Sequence, residues 1–348
     1  MGVPRLTPHV LIVEHYNQCN LRCRFCARTY TPEPERKMDV ELFRAIVDDV
    51  ATWVKRIRVD LTPIGEPFMN DLLFEYVKLA SERIPKPYIL VFSNGVLLAR
   101  RPELMVEFFE CGGHQLVIDI YVPELLPIVL DRVEGIRKRL ESLGVEVYQY
   151  RDDVGCIDEE GKVHRIHLYW HKGSKRYLIV NHACSVETQG RGRVRRFHNM
   201  GGHLPPGIPG IDYHVDVHRH CMRPHRELVV DYHGCVRLCC QCIWNDIVAG
   251  KFPDDGSLAD IWNNELMWVY RWFLRHAKAK RVLPPCSRCS YHGSFRPVEK
   301  VPKPDFIDVT DLAAVLRFIE DWQSRYVQYK HPYCTGRRPT TPTILDFV

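Results

Sequence analysis

The sequence lacks any apolar run long enough to span a membrane. Its longest apolar stretches, such as 88–92 and 116–122, have the length of strands, whereas a membrane-spanning helix needs about 20 apolar residues. No apolar signal segment follows Met1, and neither an internal repeat nor a low-complexity tract is visible. We therefore expect a soluble, cytoplasmic protein without a membrane partner.

The sequence also has little excess charge. Its net charge is +5 over 348 residues, which gives weak support to a nucleic-acid-binding protein. The run from Arg191 to Arg196 concentrates positive charge. A solvated loop is the simplest interpretation of this run, and binding of a phosphate-bearing substrate or of nucleic acid is the alternative.

Cysteine, in contrast, is abundant, with 14 residues in the chain. A disulfide framework is typical of short secreted proteins that carry a signal sequence. This chain is long and shows no such signal, so we expect reduced thiols. Cysteines in an intracellular chain more often bind metal or take part in catalysis.

Residues 1 to about 150 alternate short β-rich runs with longer helix-periodic stretches, the pattern of βα units that build a parallel sheet. Strands are predicted near 10–15, 56–61, 88–93, 115–121 and 145–150, and helices near 40–53, 72–82, 102–110 and 124–142. Beyond residue 150 we predict a hairpin around His233-Gly234, a helix from Ser257 to about Ala277 and an amphipathic segment over 309–326. The pattern predicts an α/β fold with its active site at the carboxyl ends of the strands.

Three cysteines follow the first predicted strand. Cys19, Cys23 and Cys26 are spaced so that one tight loop can wrap three corners of an iron-sulfur cubane. The fourth iron then lacks a protein ligand, and such an open position is a chemical site rather than a structural one. Zinc is the alternative, but structural zinc needs four ligands, and His15 is the nearby candidate for the fourth.

The pattern Cys-x3-Cys-x2-Cys, with the aromatic Phe25 before its last cysteine, resembles the signature of the radical S-adenosylmethionine (SAM) superfamily. The resemblance implies a partial (βα)6 TIM-like barrel in which SAM binds the open iron of a 4Fe-4S cluster. It further implies reductive cleavage of SAM to a 5'-deoxyadenosyl radical that abstracts hydrogen from a substrate. A reductant such as flavodoxin or ferredoxin is then an expected partner.

Two further segments resemble parts of that family. Gly65-Glu66-Pro67, after the second strand, is similar to its GGEP motif with Ile64 in place of the first glycine, and the resemblance implies contact with the amino group of SAM. Ser93-Asn94, where the third strand ends, corresponds to polar residues near the SAM carboxylate or ribose, although Ser-Asn-Gly is also an ordinary turn. Asp119, inside an apolar strand, is predicted to make a structural hydrogen bond. The predicted cofactor-binding residues are Phe25, Gly65, Glu66, Pro67, Ser93 and Asn94.

A second group of cysteines lies downstream. The hairpin at Gly234 brings Cys221 close to Cys239, and the Cys286-x2-Cys289 pair completes four thiols for zinc or a 4Fe-4S cluster. Taken with the first motif, this region resembles the twitch domain, a shorter relative of the SPASM domain, and the similarity includes 257–262. The resemblance implies one auxiliary 4Fe-4S cluster, with Cys240 or Cys242 as alternatives to Cys239. Its predicted ligands are Cys221, Cys239, Cys286 and Cys289.

These features predict a radical SAM partial barrel over 1–200, a twitch/SPASM-like domain over 215–300, and a C-terminal helix with a tail over 301–348. Because an auxiliary cluster can accept an electron, we expect dehydrogenation of a small sugar-like or nucleotide-like molecule. A SPASM-type maturase that cross-links or epimerises a peptide is one alternative. The other is a non-enzymatic zinc protein that binds nucleic acid. The sequence identifies no catalytic residue for the substrate.

Overall fold

A computed structural model describes residues 5–61, 64–151, 155–164, 174–183, 197–276, 278, 282–291, 293 and 300–330. The arginine run at 191–196 and the tail beyond residue 330 lie outside them. The chain divides into a central unit, Glu14–Leu21 and Glu35–Arg195, and a C-terminal unit, Met1–Val13, Arg22–Pro34 and Arg196–Val348. The predicted domain limits over 1–200, 215–300 and 301–348 stay a prediction.

Short strands and helices follow one another along the described part of the chain. The strands are β1 Val10–Val13, β2 Ile57–Asp60, β3 Pro87–Ser93, β4 Gln115–Asp119, β5 Val145–Arg151, β6 Gly155–Ile157, β7 Val163–His164, β8 Arg176–Asn181, β9 Phe197–His198, β10 Ile211–Asp212, β11 Glu227–Val230, β12 Cys235–Arg237 and β13 Val248–Lys251. The helices are α1 Ala27–Tyr30, α2 Val40–Trp53, α3 Leu73–Arg83, α4 Val96–Arg100, α5 Glu103–Glu110, α6 Leu125–Ser142, α7 Arg223–Arg226, α8 Leu258–Trp262, α9 Glu265–Arg275 and α10 Leu312–Ser324.

The central unit is built on parallel strand pairs. β2 pairs with β3, β3 with β4, β4 with β8, and β8 with β5, all in parallel, and β6 and β7 extend the sheet in antiparallel fashion. Parallel pairs need crossovers, which helices usually supply, and such sheets are covered on both faces. Val59, Ile89, Val91 and Ile118 are accordingly fully buried. The predicted α/β class is confirmed.

The strand order in the central unit departs from a simple succession of βα units. β8 lies between β4 and β5, with Ile118 opposite Val180 and Tyr148 opposite Ile179. After β5 the chain therefore forms the short strands β6 and β7 and then returns to fill the inner position. Sequence reasoning missed β8, a mostly buried apolar run within a region that shows no regular βα alternation.

In the C-terminal unit, β1 pairs in parallel with β11, and the strands β11, β12 and β13 form an antiparallel meander. The predicted hairpin is confirmed. Gly234 has a φ of +83°, which favours glycine, and the Asp231 carboxylate accepts hydrogen bonds of 2.9 Å from the backbone N–H groups of His233 and Cys235.

The single helix predicted from Ser257 to about Ala277 is wrong. Ser257 caps α8, as predicted, because its Oγ accepts from Asp260 N. The helix ends at Trp262, and Asn264 then caps α9 by accepting from Met267 N. Two side chains suited to N-caps therefore divide the segment. No helix of the described residues has the length and apolar character needed to cross a bilayer.

Candidate active site and cysteine pocket

Glu66 organises the side of the central unit where the parallel strands have their carboxyl ends. We call this side the sheet edge. Its carboxylate accepts hydrogen bonds from Ser93 Oγ and Asn94 N, both at 2.8 Å, and from Phe68 N at 3.3 Å. Burial raises the pKa of Glu66 to about 7, although these three donors favour the charged form. One buried carboxylate thus connects the turn after β2 to the turn after β3.

Asn94 extends this network to the first cysteine. Its Nδ2 donates to Asn20 Oδ1 at 2.7 Å and lies 3.5 Å from Cys19 Sγ. Its Oδ1 accepts from Val96 N at 3.0 Å, which closes a turn at the start of α4. The Ser93-Asn94 segment is therefore both an ordinary turn and a link to the cysteine loop.

Gly65 lies against the segment that precedes Cys19. A Cβ atom at residue 65 would stand 2.3 Å from the Tyr16 carbonyl oxygen, a distance that real Cβ atoms do not adopt. Glu66 N donates to the Gln18 carbonyl at 2.7 Å, and Pro67 begins a short 3-10 helix over Pro67–Met69. The glycine is thus required for backbone packing within the central unit.

His15 is not available as a zinc ligand. Its Nε2 lies 2.7 Å from the Leu61 carbonyl and its Nδ1 lies 2.7 Å from Asn70 Nδ2. Because a carbonyl only accepts, Nε2 carries the proton and Nδ1 accepts from the amide. Burial lowers the pKa of His15 to about 4, so the ring is neutral near pH 7. Both nitrogens are therefore committed to structural hydrogen bonds.

Asp119 ends β4 on the same edge of the sheet. Asn181 Nδ2 donates to its Oδ1 at 2.6 Å, and the Tyr121 hydroxyl donates to its Oδ2 at 3.2 Å. The predicted structural hydrogen bonds are thus present. The negative charge of Asp119 also contributes to the raised pKa of Glu66, after the larger effect of burial.

The other two cysteines of the triplet belong to the C-terminal unit. Cys26 N donates to the Cys23 carbonyl at 3.0 Å, which closes a tight turn before α1. Phe25 stacks on Phe197 with ring centroids 4.4 Å apart and an interplanar angle of 8°. Its aromatic character is explained within this unit by that stacking.

The downstream cysteines meet at one pocket, which we call the cysteine pocket. It is lined by Cys221, Cys239, Cys286 and Cys289, together with Arg223, Gln241, Tyr291 and apolar side chains. Burial raises the pKa of Cys221 to about 12, and the pKa of Cys239 lies well above its usual range because of a hydrogen bond with Cys242 and of burial. No group of three or more Cys, His, Asp or Glu side chains among the described residues is arranged to hold a single metal ion.

The two cysteines that follow Cys239 differ from it. Cys240 packs against Val10, Ile12 and Val229 and does not line the cysteine pocket. Cys242 is fully buried, with its Sγ 4.0 Å from Cys239 Sγ, and it also lies outside the pocket lining. The geometry therefore favours Cys239 over its neighbours as the pocket thiol.

The donor set of the cysteine pocket fits a thiolate-bound cluster. Four cysteines line one pocket together with Arg223. The Nε atom of Arg223 is buried without a hydrogen-bond partner among the described residues. Cluster sulfides accept hydrogen bonds from such donors. Sequence reasoning missed Arg223, although its position two residues after Cys221 places a basic side chain beside a predicted ligand.

Comparison with protein families identifies both regions. The family described as "Radical SAM superfamily" matches residues 13–143, and the family "SPASM: Iron-sulfur cluster-binding domain" matches residues 221–290. The chain contains a radical SAM domain followed by an iron-sulfur cluster-binding SPASM domain. Its two domains imply a SAM-binding 4Fe-4S cluster, an auxiliary 4Fe-4S cluster and SAM as cofactors, as predicted.

Two curated relatives match part of the chain. GTP 3',8-cyclase from Chlorobaculum tepidum is 30% identical over 128 residues, which are 36% of this chain and 38% of that protein. FeMo cofactor biosynthesis protein NifB from Methanocaldococcus infernus is 24% identical over 135 residues, 36% of this chain and 44% of that protein. The matched segment thus spans less than half the length of either relative.

A solved structure matches most of the chain. The crystal structure of BtrN in complex with AdoMet and 2-DOIA has a TM-score of 0.61 at 18% identity, covering 86% of this chain and 99% of that chain. BtrN in an open conformation has a TM-score of 0.51 at 16% identity, covering 87% and 98%. At this identity the likeness shows the fold alone. It confirms the predicted fold class, a partial barrel with a small cysteine-rich domain.

Proposed function

We propose that this radical SAM protein removes two electrons from a small sugar-like or nucleotide-like substrate. Cys19, Cys23 and Cys26 hold the SAM-binding cluster in this proposal. The auxiliary cluster is held by Cys221, Cys239, Cys286 and Cys289. The observation that carries the proposal is the cysteine pocket, because four cysteines from distant parts of the C-terminal unit line one pocket.

When bound, SAM and its reduced cluster supply a radical that abstracts hydrogen, and the auxiliary cluster supplies an electron acceptor. The substrate loses one hydrogen atom from a carbon that bears a hydroxyl group. The resulting carbon radical then loses one electron, and the hydroxyl loses its proton. A carbonyl group would form: the radical supplied by SAM would take up the hydrogen atom, and the auxiliary cluster would take up the electron and pass it to the oxidised form of the flavodoxin- or ferredoxin-type partner.

The central unit provides the surface that receives SAM. Glu66 fixes the turn at Ser93-Asn94 through two hydrogen bonds of 2.8 Å, and Asn94 in turn contacts Asn20 and Cys19. Residues in this network are already held in place by the protein, so they lose little entropy when SAM binds. Gly65, Glu66, Pro67, Ser93 and Asn94 therefore orient SAM in this proposal.

A small-molecule substrate is supported by the structural neighbour BtrN, which was crystallised in complex with AdoMet and 2-DOIA. Candidate substrates are sugar-like and nucleotide-like molecules that carry a secondary hydroxyl group.

The first experiment is anaerobic reconstitution of wild type and of the Cys19→Ala/Cys23→Ala/Cys26→Ala variant. We expect about eight irons in wild type and about four in the variant, because each cluster contains four. Wild type incubated with dithionite and SAM should form 5'-deoxyadenosine, and the variant should not. With the correct substrate, mass spectrometry should find a product lighter by two hydrogen atoms.

Zinc in place of iron, without 5'-deoxyadenosine, would contradict the proposal at its root. SAM cleavage coupled to a cross-linked or epimerised peptide would instead favour the maturase alternative. A Cys111→Ala variant serves as the matched control, because Cys111 is the C-cap residue of α5 and lies outside both cysteine groups. Its loss should leave the iron content unchanged.

A further inference from the structure

Arg223 lies beside the proposed auxiliary cluster, and several contacts hold its side chain in place. It lines the cysteine pocket together with Cys221 and Cys239. Its Nη1 donates to both carboxylate oxygens of Glu227, at 2.9 and 3.0 Å, and lies 2.7 Å from Cys240 Sγ. Its guanidinium carbon stands 4.0 Å above the centre of the Tyr291 ring. These contacts hold the guanidinium in one orientation.

The anchored guanidinium also has a buried donor, Nε, that is not used by these contacts. Arg223 Nε is buried and makes no hydrogen bond among the described residues, although a buried N–H group without a partner is costly. Tyr291 lines the same pocket, so the anchoring surface and the pocket wall are continuous. A sulfur atom of a cluster bound in the pocket is a chemically suitable acceptor for this N–H group.

A positive group beside the pocket affects the reduction potential of a cluster bound there. A cluster with four thiolate ligands is anionic, and each added electron makes it more negative. A nearby guanidinium and an N–H donor to sulfur both stabilise the reduced form more than the oxidised form. Glu227 balances the charge of Arg223 but does not line the pocket. A cluster in the pocket would therefore be closer to the guanidinium of Arg223 than to the carboxylate of Glu227.

We propose that Arg223 raises the reduction potential of the auxiliary cluster and so makes it a better acceptor for the electron lost by the substrate. The inference rests on the proposed cluster ligands. Arg223 is a positioning and tuning residue here, since it acts on the cluster and not on the substrate.

The test uses the full chain carrying Cys19→Ala/Cys23→Ala/Cys26→Ala, so that only the auxiliary cluster contributes to the signal. The midpoint potential is measured by redox titration followed by electron paramagnetic resonance, with and without Arg223→Met. We expect Arg223→Met to retain about four irons and to shift the potential to more negative values. Arg226→Met is the matched control, because Arg226 lies on the same short helix but outside the pocket, and it should cause no shift.

An unchanged potential in Arg223→Met with its iron retained would overturn this inference and leave the proposed function standing. If Arg223→Met fails to hold iron, the midpoint potential is measured in Arg223→Lys instead, because lysine keeps the positive charge but lacks the Nε–H donor. Lysine is expected to give a smaller negative shift. An unchanged potential, or loss of iron in both variants, would overturn the inference. Absence of iron in the parent itself would reject the proposed ligands, and the inference falls with them.

Discussion

The sheet edge around Glu66 and the cysteine pocket differ in how their polar groups find partners. At the sheet edge, a buried carboxylate receives three protein donors, and Asn94 uses both ends of its amide. In the cysteine pocket, the thiols stand among apolar side chains, and burial raises the pKa of Cys221 to about 12. The first region is completed by protein hydrogen bonds, and the second presents ligand atoms.

This difference predicts how each region responds to change. A network with every partner in place is rigid, and loss of one member leaves other buried groups unsatisfied. Thiols become strong ligands only as thiolates, so metal binding releases protons and contributes to folding. We therefore expect substitutions at the sheet edge to alter stability in graded steps, and substitutions in the cysteine pocket to remove a cluster outright.

The largest expected effect separates two adjacent cysteines. Cys239→Ala should lose about four irons, because Cys239 lines the cysteine pocket. Cys240→Ala should keep them, because Cys240 packs against Val10, Ile12 and Val229 instead. Both variants should still cleave SAM. Iron and sulfide content after anaerobic reconstitution is the measurement.

A Cys242→Ala variant completes this comparison. Its Sγ lies 4.0 Å from Cys239 Sγ, so it is the nearest substitute ligand. We expect Cys242→Ala to retain the iron. Loss of iron in Cys242→Ala combined with retention in Cys239→Ala would show that the ligand assignment is shifted by three residues.

A second effect concerns the buried carboxylate. The pKa of Glu66 is raised from 4.5 to about 7 by burial, so between these values the folded protein binds a proton that the unfolded chain does not. The contribution of Glu66 to stability therefore falls as pH rises through this window, by about 3 kcal/mol in all. Glu66→Gln removes this titration. Its free energy of unfolding relative to wild type should increase by about 3 kcal/mol between pH 4.5 and pH 8, as measured by urea denaturation.

Glu103→Gln provides a control of opposite sign. The pKa of Glu103 is lowered by its own backbone N–H group and by Arg101, so this carboxylate stabilises the fold above its unfolded pKa. Relative to wild type, the variant should thus lose stability as pH rises towards 4.5, and the difference should then stay nearly constant between pH 4.5 and pH 8. If the difference between Glu66→Gln and wild type were independent of pH, Glu66 would already be ionised throughout the window.

Much of the fold follows from local patterns in the sequence. β2, β3 and β5 both begin and end within one residue of their predicted limits, because each is a β-rich run with clear ends. The position of β8 does not follow, since pairing between distant segments decides which strand occupies the inner place. The break at Asn263-Asn264 was predictable in principle, because asparagine is a favoured N-cap.

Some features of the candidate site also follow from the sequence, and others require the structure. The spacing around Gly234 predicted that Cys221 and Cys239 approach each other, because a hairpin fixes the distance along two strands. The exclusion of His15 as a metal ligand required the positions of Leu61 and Asn70, which no sequence pattern provides. The anchored position of Arg223 could likewise not be predicted, because it depends on the contacts of its side chain with Glu227 and Cys240.

The smallest effect tests how tightly the sheet edge is packed. In Gly65→Ala, the new Cβ would stand 2.3 Å from the Tyr16 carbonyl oxygen. The backbone must then shift, and we expect a loss of about 1–3 kcal/mol in the free energy of unfolding, together with weaker SAM binding. Gly135→Ala is the matched control, because Gly135 lies in α6 with nothing within 4 Å of the added atom. It should gain about 0.5–1 kcal/mol from helix propensity. Equal thermal unfolding of both variants would show that the contact between residues 16 and 65 is loose, so that Glu66 alone holds this edge.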